Sequence, residues 1–521
     1  MGEPPRRIVS LIGAVLLLAA VLLTLHNVYY TSPARPWPDV FLRPDVGGHL
    51  SDTGRGRLGI TEEQLWEDRN GLRTILSPEH HIHREASTIR LRWNITIADL
   101  APDGVRKQVY LINGQFPGPT IEARSGDELE IEVINSADND EGISIHWHGL
   151  SIKGANEMDG VIGLTQCEIS KGQTFVYKFR IQETESGTFW YHAHSSVHLA
   201  DGLYGGIVVH RPVGSSGSHK RIQQDYDADQ LLLIGDWYHR KAQSVLDWYE
   251  DTQHFGFEPA PDSILINGRG HFNCSMAVKA FPVECGIVDR PQLKLYGTRT
   301  RLRIINTGAL AGYNIAVPGA RLDLIEIDGG NTVVDSTPSE SLGVLYPGER
   351  MDIIAQQQPQ ATTEGTFIVA LDRENLKFKN FALTPTQTFS LTWDSATGST
   401  SPNYNSDASS VAKHINLADA HGSVPSEMPL ATTDVAVFYT RLEILAFHEN
   451  APLGVVNHSS WFVEDANAAP LLGKDRHEWA TTITPPAVFG DLEMQRDVPW
   501  YRQSGPDRWM DIVVNNLDEK D

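Results

Sequence analysis

Two pairs of histidines stand out because the members of each pair are separated by a single residue. His146 and His148 lie in "ISIHWHGL", and His192 and His194 lie in "WYHAHS". Neutral imidazole is a good ligand for copper, zinc, iron and nickel. Neither segment contains a cysteine, which argues against a cysteine-rich structural zinc site. The two pairs therefore predict a metal centre built on imidazole, without choosing the metal.

This chemistry requires both pairs to lie on β-strands. Side chains alternate between the two faces of a strand, so His146 and His148 would share one face while Trp147 points to the other. The same holds for His192 and His194. Same-face neighbours begin roughly 7 Å apart, which is wide for one ion but suits ligands of adjacent ions. A single pair is more often structural, whereas two pairs in one predicted unit favour a metal site.

The surrounding sequence predicts an all-β fold class of tandem sandwich or barrel units. From Thr88 onward, short runs of alternating apolar and polar residues, such as "ELEIEVINS" and "RLDLIEID", are separated by Gly, Pro and Asn. We found no long amphipathic helix that would indicate an α/β fold. The predicted divisions are a cytosolic tip and signal anchor (1–30), a stalk (31–87), a first unit (88–213), a second unit (228–395), a linker (396–428) and a partial third unit (429–521).

The net charge and the N-terminal residues bear on the binding partners and the cellular location of the protein. The net charge of the 521 residues is −23, so we expect the protein to repel nucleic acid. Arg6 and Arg7 precede an uncharged run, residues 8–25, which as a helix would nearly cross a bilayer core. We expect an uncleaved signal anchor with the later residues outside the cytosol, at the cell surface or in the secretory pathway. The alternative is a cleaved signal peptide and a secreted protein.

Other residues agree with an exported chain. Asn94, Asn273 and Asn457 begin N-glycosylation acceptor patterns. The chain has three cysteines, so at least one is unpaired within a single copy. Cys274 and Cys285 could form a disulfide, or Cys167 could pair with either of them.

Two further patterns suggest chemistry but are interpreted as loops. "GRGRLG" at 54–59 matches the spacing of a dinucleotide-binding fingerprint, but no strand precedes it. His81 and His83 form a third His-x-His pair. Because their segment is polar and shows no strand pattern, we expect a solvated loop.

The histidine segments belong to a longer pattern. "ISIHWHGL", "EMDGVIGLTQCEISKGQTFVYKFRI" and "GTFWYHAHSSVHLADGLYGGIVVHRP" together resemble the first cupredoxin domain of the multicopper oxidases, and most of all their fungal laccase-like branch. "GDWYH" and "YPGERMDII" are similar to that family's middle domain, and "WMDIVVNNLDEKD" to a strand of its third. Over residues 88–521 the resemblance implies tandem cupredoxin-like domains, the third incomplete, following the predicted transmembrane helix.

The resemblance implies copper as the cofactor, with a small-molecule reductant and dioxygen as partners. In this family a type 1 copper receives electrons singly and passes them to a three-copper cluster that reduces dioxygen to water. By motif position, His146 resembles a type 2 ligand, and His148, His192 and His194 resemble type 3 ligands. Asp159 resembles the acidic residue that assists proton delivery, although an ordinary turn aspartate before glycine is an equal alternative. Asp201 could support the metal ligands, but we favour a turn.

The sequence also departs from the family pattern. The motifs HPxHxHG and HCHxxxH are not in these 521 residues, so the type 1 site and half of the three-copper ligands are missing from this sequence. We expect an incomplete chain rather than a product that lost these sites, and we expect the 521 residues alone not to sustain the full reaction. The predicted activity is one-electron oxidation of phenolic-type substrates. The alternatives are a ferroxidase of the same fold or a non-catalytic copper-binding surface protein.

Overall fold

The structure, a computed structural model, describes most of residues 75–394 and several shorter stretches after them. The gaps before residue 394 are 215–225, 255–256, 280–281, 359–360, 374–375 and 377–379. The later described residues are 414–415, 417, 420–422, 432, 434–444, 452–457, 469–475, 487–489, 492–494 and 509–518. The predicted signal anchor and the "GRGRLG" segment lie outside the described residues.

Eight strands form a first β-sandwich. One sheet has the order β2-β1-β4-β6, and the other has the order β3-β8-β7-β5. The strands are β1 (Thr88–Leu100), β2 (Lys107–Ile112), β3 (Ile121–Arg124), β4 (Glu128–Asn135), β5 (Ile145–His148), β6 (Thr174–Arg180), β7 (Gly187–Ala193) and β8 (Tyr204–His210).

Alternating burial builds the core of this sandwich. In β4, Leu129, Ile131 and Val133 are fully buried, while the glutamates between them are partly exposed. Trp147 on β5 and Tyr191 on β7 lie opposite each other in register, and both are fully buried in the same core. The strands that carry the histidine pairs are therefore anchored by large aromatic side chains on their inner face.

The second unit repeats this design with two further sheets, of orders β10-β9-β12-β16-β14-β15-β19 and β11-β18-β17-β13. Its apolar core lies between them. Its strands are β9 (Ala228–Trp237), β10 (Ser263–Ile266), β11 (Gln292–Tyr296), β12 (Arg299–Asn306), β13 (Tyr313–Ala316), β14 (Ala320–Ile327), β15 (Asn331–Asp335), β16 (Arg350–Gln357), β17 (Glu364–Leu371), β18 (Thr386–Asp394) and β19 (His421–Gly422).

The remaining described strands lie after residue 430. β21-β20-β24 form one sheet and β22-β23 a hairpin, with β20 (Asp434–Ile444), β21 (Pro452–Val456), β22 (Ala487–Phe489), β23 (Leu492–Met494) and β24 (Met510–Asn516). The described α-helices are α1 (Glu79–Ile82) and α2 (Ala242–Glu250). Single 3₁₀ turns span Asn156–Met158, His198–Asp201, Thr252–His254, Cys274–Met276 and Leu471–Gly473. No helix within the described residues is long and apolar enough to cross a membrane.

The two sandwiches pack face to face through β7 and β8. Thr188 on β7 donates a hydrogen bond to Asp352 of the second unit at 2.7 Å and accepts one from Arg303 at 3.1 Å. A shared apolar cluster surrounds this contact, formed by Leu76, Trp190, Tyr204, Val208, Leu231, Leu233 and Ile305. The second unit therefore covers the sheet face that carries the histidine pairs.

The predicted all-β class is confirmed. The quoted run "RLDLIEID" forms β14, and "ELEIEVINS" forms β4. The disulfide alternatives are also resolved, because the structure joins Cys274 to Cys285. Cys167 lies outside that bond.

Candidate metal centre

The pairing of β5 with β7 brings the four predicted histidines together. The strands run antiparallel, and His146 lies directly opposite His192. Residues opposite each other in such a pair point to the same side of the sheet. His148 therefore lies on this face as well, and His194 follows one residue after β7 ends.

The imidazole rings form a compact group. The ring centre of His146 lies 5.6 Å from that of His148, 5.3 Å from that of His192 and 5.6 Å from that of His194. Nδ1 of His148 lies 3.4 Å from Nε2 of His192. One ligand nitrogen from each of His146, His148 and His192 lies within 4.8 Å of the others. His194 is the most exposed of the four.

Backbone carbonyl oxygens determine which ring nitrogen of His146 and of His192 is available to a metal. Nδ1 of His146 lies 2.9 Å from the carbonyl oxygen of Asp159, and Nδ1 of His192 lies 2.9 Å from that of Ala193. A carbonyl oxygen only accepts hydrogen bonds, so each Nδ1 must carry a proton and donate. Nε2 of both rings is then the nitrogen left for a metal, as in metal-binding histidines oriented by an outer partner.

Burial keeps most of these rings neutral. Burial, followed by the positive charge of Arg350, lowers the pKa of His148 to about 4. Burial also lowers the pKa of His192 to about 3 and that of His194 below its ordinary value. Because a neutral imidazole is the form that binds metal, these three side chains are ready to act as ligands near pH 7.

Asp159 distinguishes His146 from its neighbours. Its Oδ1 lies 3.2 Å from Nδ1 of His146, and its side chain is 37% exposed. Burial lowers the pKa of His146, but the hydrogen bonds and charge of Asp159 outweigh that effect and raise it. Gly160, at φ +88°, fixes the backbone here, since a Cβ at this position would overlap the carbonyl oxygen of Ile145. Asp159 thus lies between solvent and the histidine group.

The second unit contributes two residues that were not predicted as site residues. A Cβ on Gly348 would lie 3.0 Å from Cε1 of His148, so this glycine lets the loop before β16 approach the ring. Arg350 donates hydrogen bonds from Nε to the Thr188 carbonyl oxygen at 3.2 Å and from its NH1 nitrogen to the Gly348 carbonyl oxygen at 2.9 Å. Both residues lie in "YPGERMDII", so the family resemblance was the available signal for them.

Asp201 has a structural position, as the turn interpretation expected. It ends a 3₁₀ turn before Gly202 at φ 100°. Its carboxylate lies 2.8 Å from Nζ of the buried Lys107 and accepts a hydrogen bond from the Ala242 backbone at 2.9 Å. Asp201 therefore ties the first sandwich to the segment that begins α2.

The prediction of a solvated loop is correct for His83 and wrong for His81. The His83 side chain is 62% exposed beside Glu79. The His81 side chain is only 17% exposed, because α1 brings its ring onto that of His210 with 5.1 Å between ring centres. The polar local sequence gives no sign of a stacking partner so distant in the chain.

The donor set of the centre suits copper. The structure supplies imidazole nitrogens, which are good ligands for copper as well as for zinc, iron and nickel. Two of them are oriented by carbonyl oxygens, and a glycine rather than a larger residue faces His148. The roles of His146, His148, His192 and His194 as copper ligands and of Asp159 in proton delivery stay predictions.

Comparison with known proteins decides the family. Residues 94–214 match a family model described as multicopper oxidase, and residues 228–390 match a second model of the same description. Together the matches cover more than half of the chain. The chain belongs to the multicopper oxidase family. The two matched regions cover most of the two sandwiches, and the fold is the cupredoxin-like fold of that family.

Curated multicopper oxidases with similar sequences include fungal laccases. Laccase-1 of Cryptococcus neoformans var. grubii is 37% identical over 285 residues, which is 54% of this chain and 43% of the relative. Dihydrogeodin oxidase of Aspergillus terreus is 34% identical over 52% of this chain and 42% of the relative. L-ascorbate oxidase of Nicotiana tabacum is 31% identical over 53% and 47%. The chain spans slightly less than half the length of these relatives.

Solved structures agree with the fold. Fet3p, a multicopper oxidase that functions in iron import, matches with a TM-score of 0.66 at 20% identity, over 83% of this chain and 73% of Fet3p. This likeness shows the fold alone. The laccase of Botrytis aclada matches with a TM-score of 0.58 at 25% identity, over 76% of this chain and 68% of the laccase.

Proposed function

We propose that the protein is a laccase-like copper oxidoreductase that couples one-electron oxidation of phenolic-type substrates to the reduction of dioxygen to water. The observation that carries this proposal is the convergence of His146, His148 and His192, whose ligand nitrogens lie within 4.8 Å of one another. His194 lies beside them. The likeness to fungal laccases supports the phenolic substrate class.

These four histidines would hold copper as half of a three-copper cluster, His146 as a type 2 ligand and the others as type 3 ligands. When bound, copper supplies the redox chemistry that reduces dioxygen. The protein's own residues hold the ligand rings in place, exclude water on the Trp190 side and supply protons. Trp190 is buried, with its ring centre 4.3 Å from that of His192.

Asp159 is proposed as the residue that delivers protons. Forming water from dioxygen consumes protons, and a carboxylate can carry them from solvent to a buried site. Its side chain is partly exposed, while its Oδ1 lies 3.2 Å from Nδ1 of His146. It can therefore exchange protons with water on one side and act beside the histidine group on the other.

The proposal includes a location outside the cytosol. The Cys274–Cys285 disulfide supports it, since disulfides persist in oxidising compartments. Asn94 and Asn273 are exposed, as acceptors of N-linked glycans must be. Attachment through residues 8–25 is part of the same proposal, with a secreted form if that run is cleaved.

The proposed activity is tested on the protein isolated from its own cells. Oxygen uptake should accompany oxidation of a phenolic reductant. A His192→Ala variant, produced by editing the gene in those cells, should lose this oxygen uptake. His83→Ala, an exposed histidine outside the centre, is the control and should keep it. Uptake driven by ferrous iron but not by phenol would favour the ferroxidase alternative. Bound copper without oxygen uptake would favour the non-catalytic one.

A further inference from the structure

A second group of metal-binding side chains lies on the same sheet face as the histidine pairs. It consists of His81 on α1, Glu122 on β3 and His210 at the end of β8. One ligand atom from each lies within 4.8 Å of the others. We propose that His81, Glu122 and His210 form a separate site for one divalent ion of the zinc class, which ties the segment 75–82 to the first sandwich.

The Glu122 carboxylate is the centre of this group. Its Oε2 lies 2.9 Å from Nε2 of His210 and 4.0 Å from Nε2 of His81. It also accepts a hydrogen bond from the Ser77 backbone at 2.8 Å, which orients it toward the imidazoles. Two imidazoles and a carboxylate are a donor set that zinc takes, with water completing a tetrahedron.

The geometry is close to that of a bound site. The rings of His81 and His210 are stacked, with 23° between their planes, and both direct Nε2 toward one carboxylate. Ligand atoms around a tetrahedral zinc lie about 3.3 Å apart, given bonds of about 2.0–2.1 Å. Closing the group from within 4.8 Å therefore takes small side-chain rotations. The partial exposure of Glu122 and His81, 20% and 17%, leaves a route for the ion and a water.

One neighbouring cation must be accommodated. An NH2 nitrogen of Arg84 lies 3.3 Å from Nδ1 of His81, which is long for a hydrogen bond. Binding of metal at Nε2 moves the ring proton of His81 to Nδ1, so this contact would open. Arg84 keeps its two hydrogen bonds to Asp127, whose charge balances its own.

This site is distinct from the predicted copper centre. His192 lies opposite Tyr204 on β8, and His210 lies six residues further along that strand. At about 3.4 Å per residue the two groups lie about 20 Å apart. A metal at the second site would hold the segment that places Leu76 in the cluster with Trp190, and Trp190 borders His148 and His192.

Zinc binding by the full chain tests the proposal. The background variant His146→Ala/His192→Ala removes ligands of the other centre. In that background Zn²⁺ alone should bind with one high-affinity equivalent and raise the melting temperature. Glu122→Gln and His81→Ala should each weaken this binding at least tenfold. His83 lies two residues from His81, and its side chain is exposed. The His83→Ala variant should therefore bind Zn²⁺ as tightly as the background protein.

Co²⁺ is a second probe, because a four-coordinate cobalt site gives a strong visible absorption. The background protein and its His83→Ala variant should show this absorption, and Glu122→Gln should lack it while melting cooperatively without metal. Equal zinc affinity in Glu122→Gln, His81→Ala and His83→Ala would overturn the proposal. Loss of binding in His83→Ala would also overturn it, because it would place the metal on the exposed side of α1.

Discussion

Asp159 contacts the ring of His146 through both its backbone and its side chain. The Nδ1 nitrogen of His146 lies 2.9 Å from the Asp159 carbonyl oxygen and 3.2 Å from its carboxylate Oδ1. The first contact fixes the position of the ring proton. The second adds a side-chain hydrogen bond and a negative charge, and both raise the pKa of His146, whereas the pKa values of His148 and His192 are lowered.

Replacing this carboxylate separates its two roles. In metal-free Asp159→Asn, the backbone contact remains but the charge is lost, so the pKa of His146 should fall. An NMR titration of the ring measures it. In the protein isolated from its own cells we expect Asp159→Asn to lower oxygen uptake about tenfold or more, as for other outer partners of metal ligands. The control is Asp323→Asn, which removes a carboxylate beside the exposed Arg321 and should leave the pKa of His146 unchanged. An unchanged His146 pKa in Asp159→Asn would contradict the role of this carboxylate.

Gly160 should be needed for the position of Asp159. Its φ of +88° is strained for other residues, and a Cβ would also overlap the Ile145 carbonyl oxygen. Gly154 has a similar φ of +82°, but a Cβ there meets nothing within 4 Å. Gly154→Ala should therefore cost only the backbone strain, roughly 1–2 kcal/mol. Gly160→Ala should cost clearly more in urea unfolding and should weaken copper binding. Equal costs would show that the close approach is unimportant.

The sequence predicted the face of the histidine pairs because strand alternation is local. Trp147 points to the face opposite His146 and His148, as predicted, and the structure buries it in the core. The spacing of the histidines in the sequence does not show that His146 lies opposite His192, because strand register depends on the whole sheet.

Contacts between distant elements were beyond sequence reasoning. Gly348 and Arg350 reach the centre only because the second sandwich packs on β7, and no local pattern shows that contact. The polar neighbours of His81 predict solvent exposure, yet its ring stacks on that of His210 from another element. Local composition predicts exposure poorly where a short segment docks onto a sheet.

A buried ion network on β9, β12 and β16 of the second sandwich should support the contact of that sandwich with Thr188 of the first. Arg303 is almost fully buried, and it donates hydrogen bonds to Asp229 at 2.7 Å and to Asp352 at 3.0 Å. Arg303→Met leaves the buried Asp229 without its ion-pair partner, while Asp352 keeps Arg301. We therefore expect a loss of about 3–5 kcal/mol in the free energy of unfolding. Arg321→Met breaks an exposed pair and should cost no more than about 1 kcal/mol. Similar losses of unfolding free energy in Arg303→Met and Arg321→Met, measured by urea unfolding, would show that the buried ion network adds no more stability than an exposed pair.

Stability of the metal-free protein should fall as the pH falls. The pKa of His148 is about 4 and that of His192 about 3 in the folded protein, against about 6.5 in an unfolded chain. Between these values the unfolded state binds more protons, so acid favours unfolding. The urea concentration at the midpoint of unfolding should therefore be lower at pH 4.5 than at pH 7. This decrease should be smaller in His192→Gln than in the unaltered protein. Identical slopes would show that His192 is not held neutral by the fold.

Copper content shows whether His146 and His192 bind copper. The unaltered chain, its His146→Ala/His192→Ala variant and the His83→Ala control are loaded with copper, dialysed and measured by elemental analysis. We expect the double variant to lose bound copper relative to the unaltered chain and His83→Ala to retain it. Equal copper in all three proteins, each folded by circular dichroism, would contradict the assignment of His146 and His192 as copper ligands.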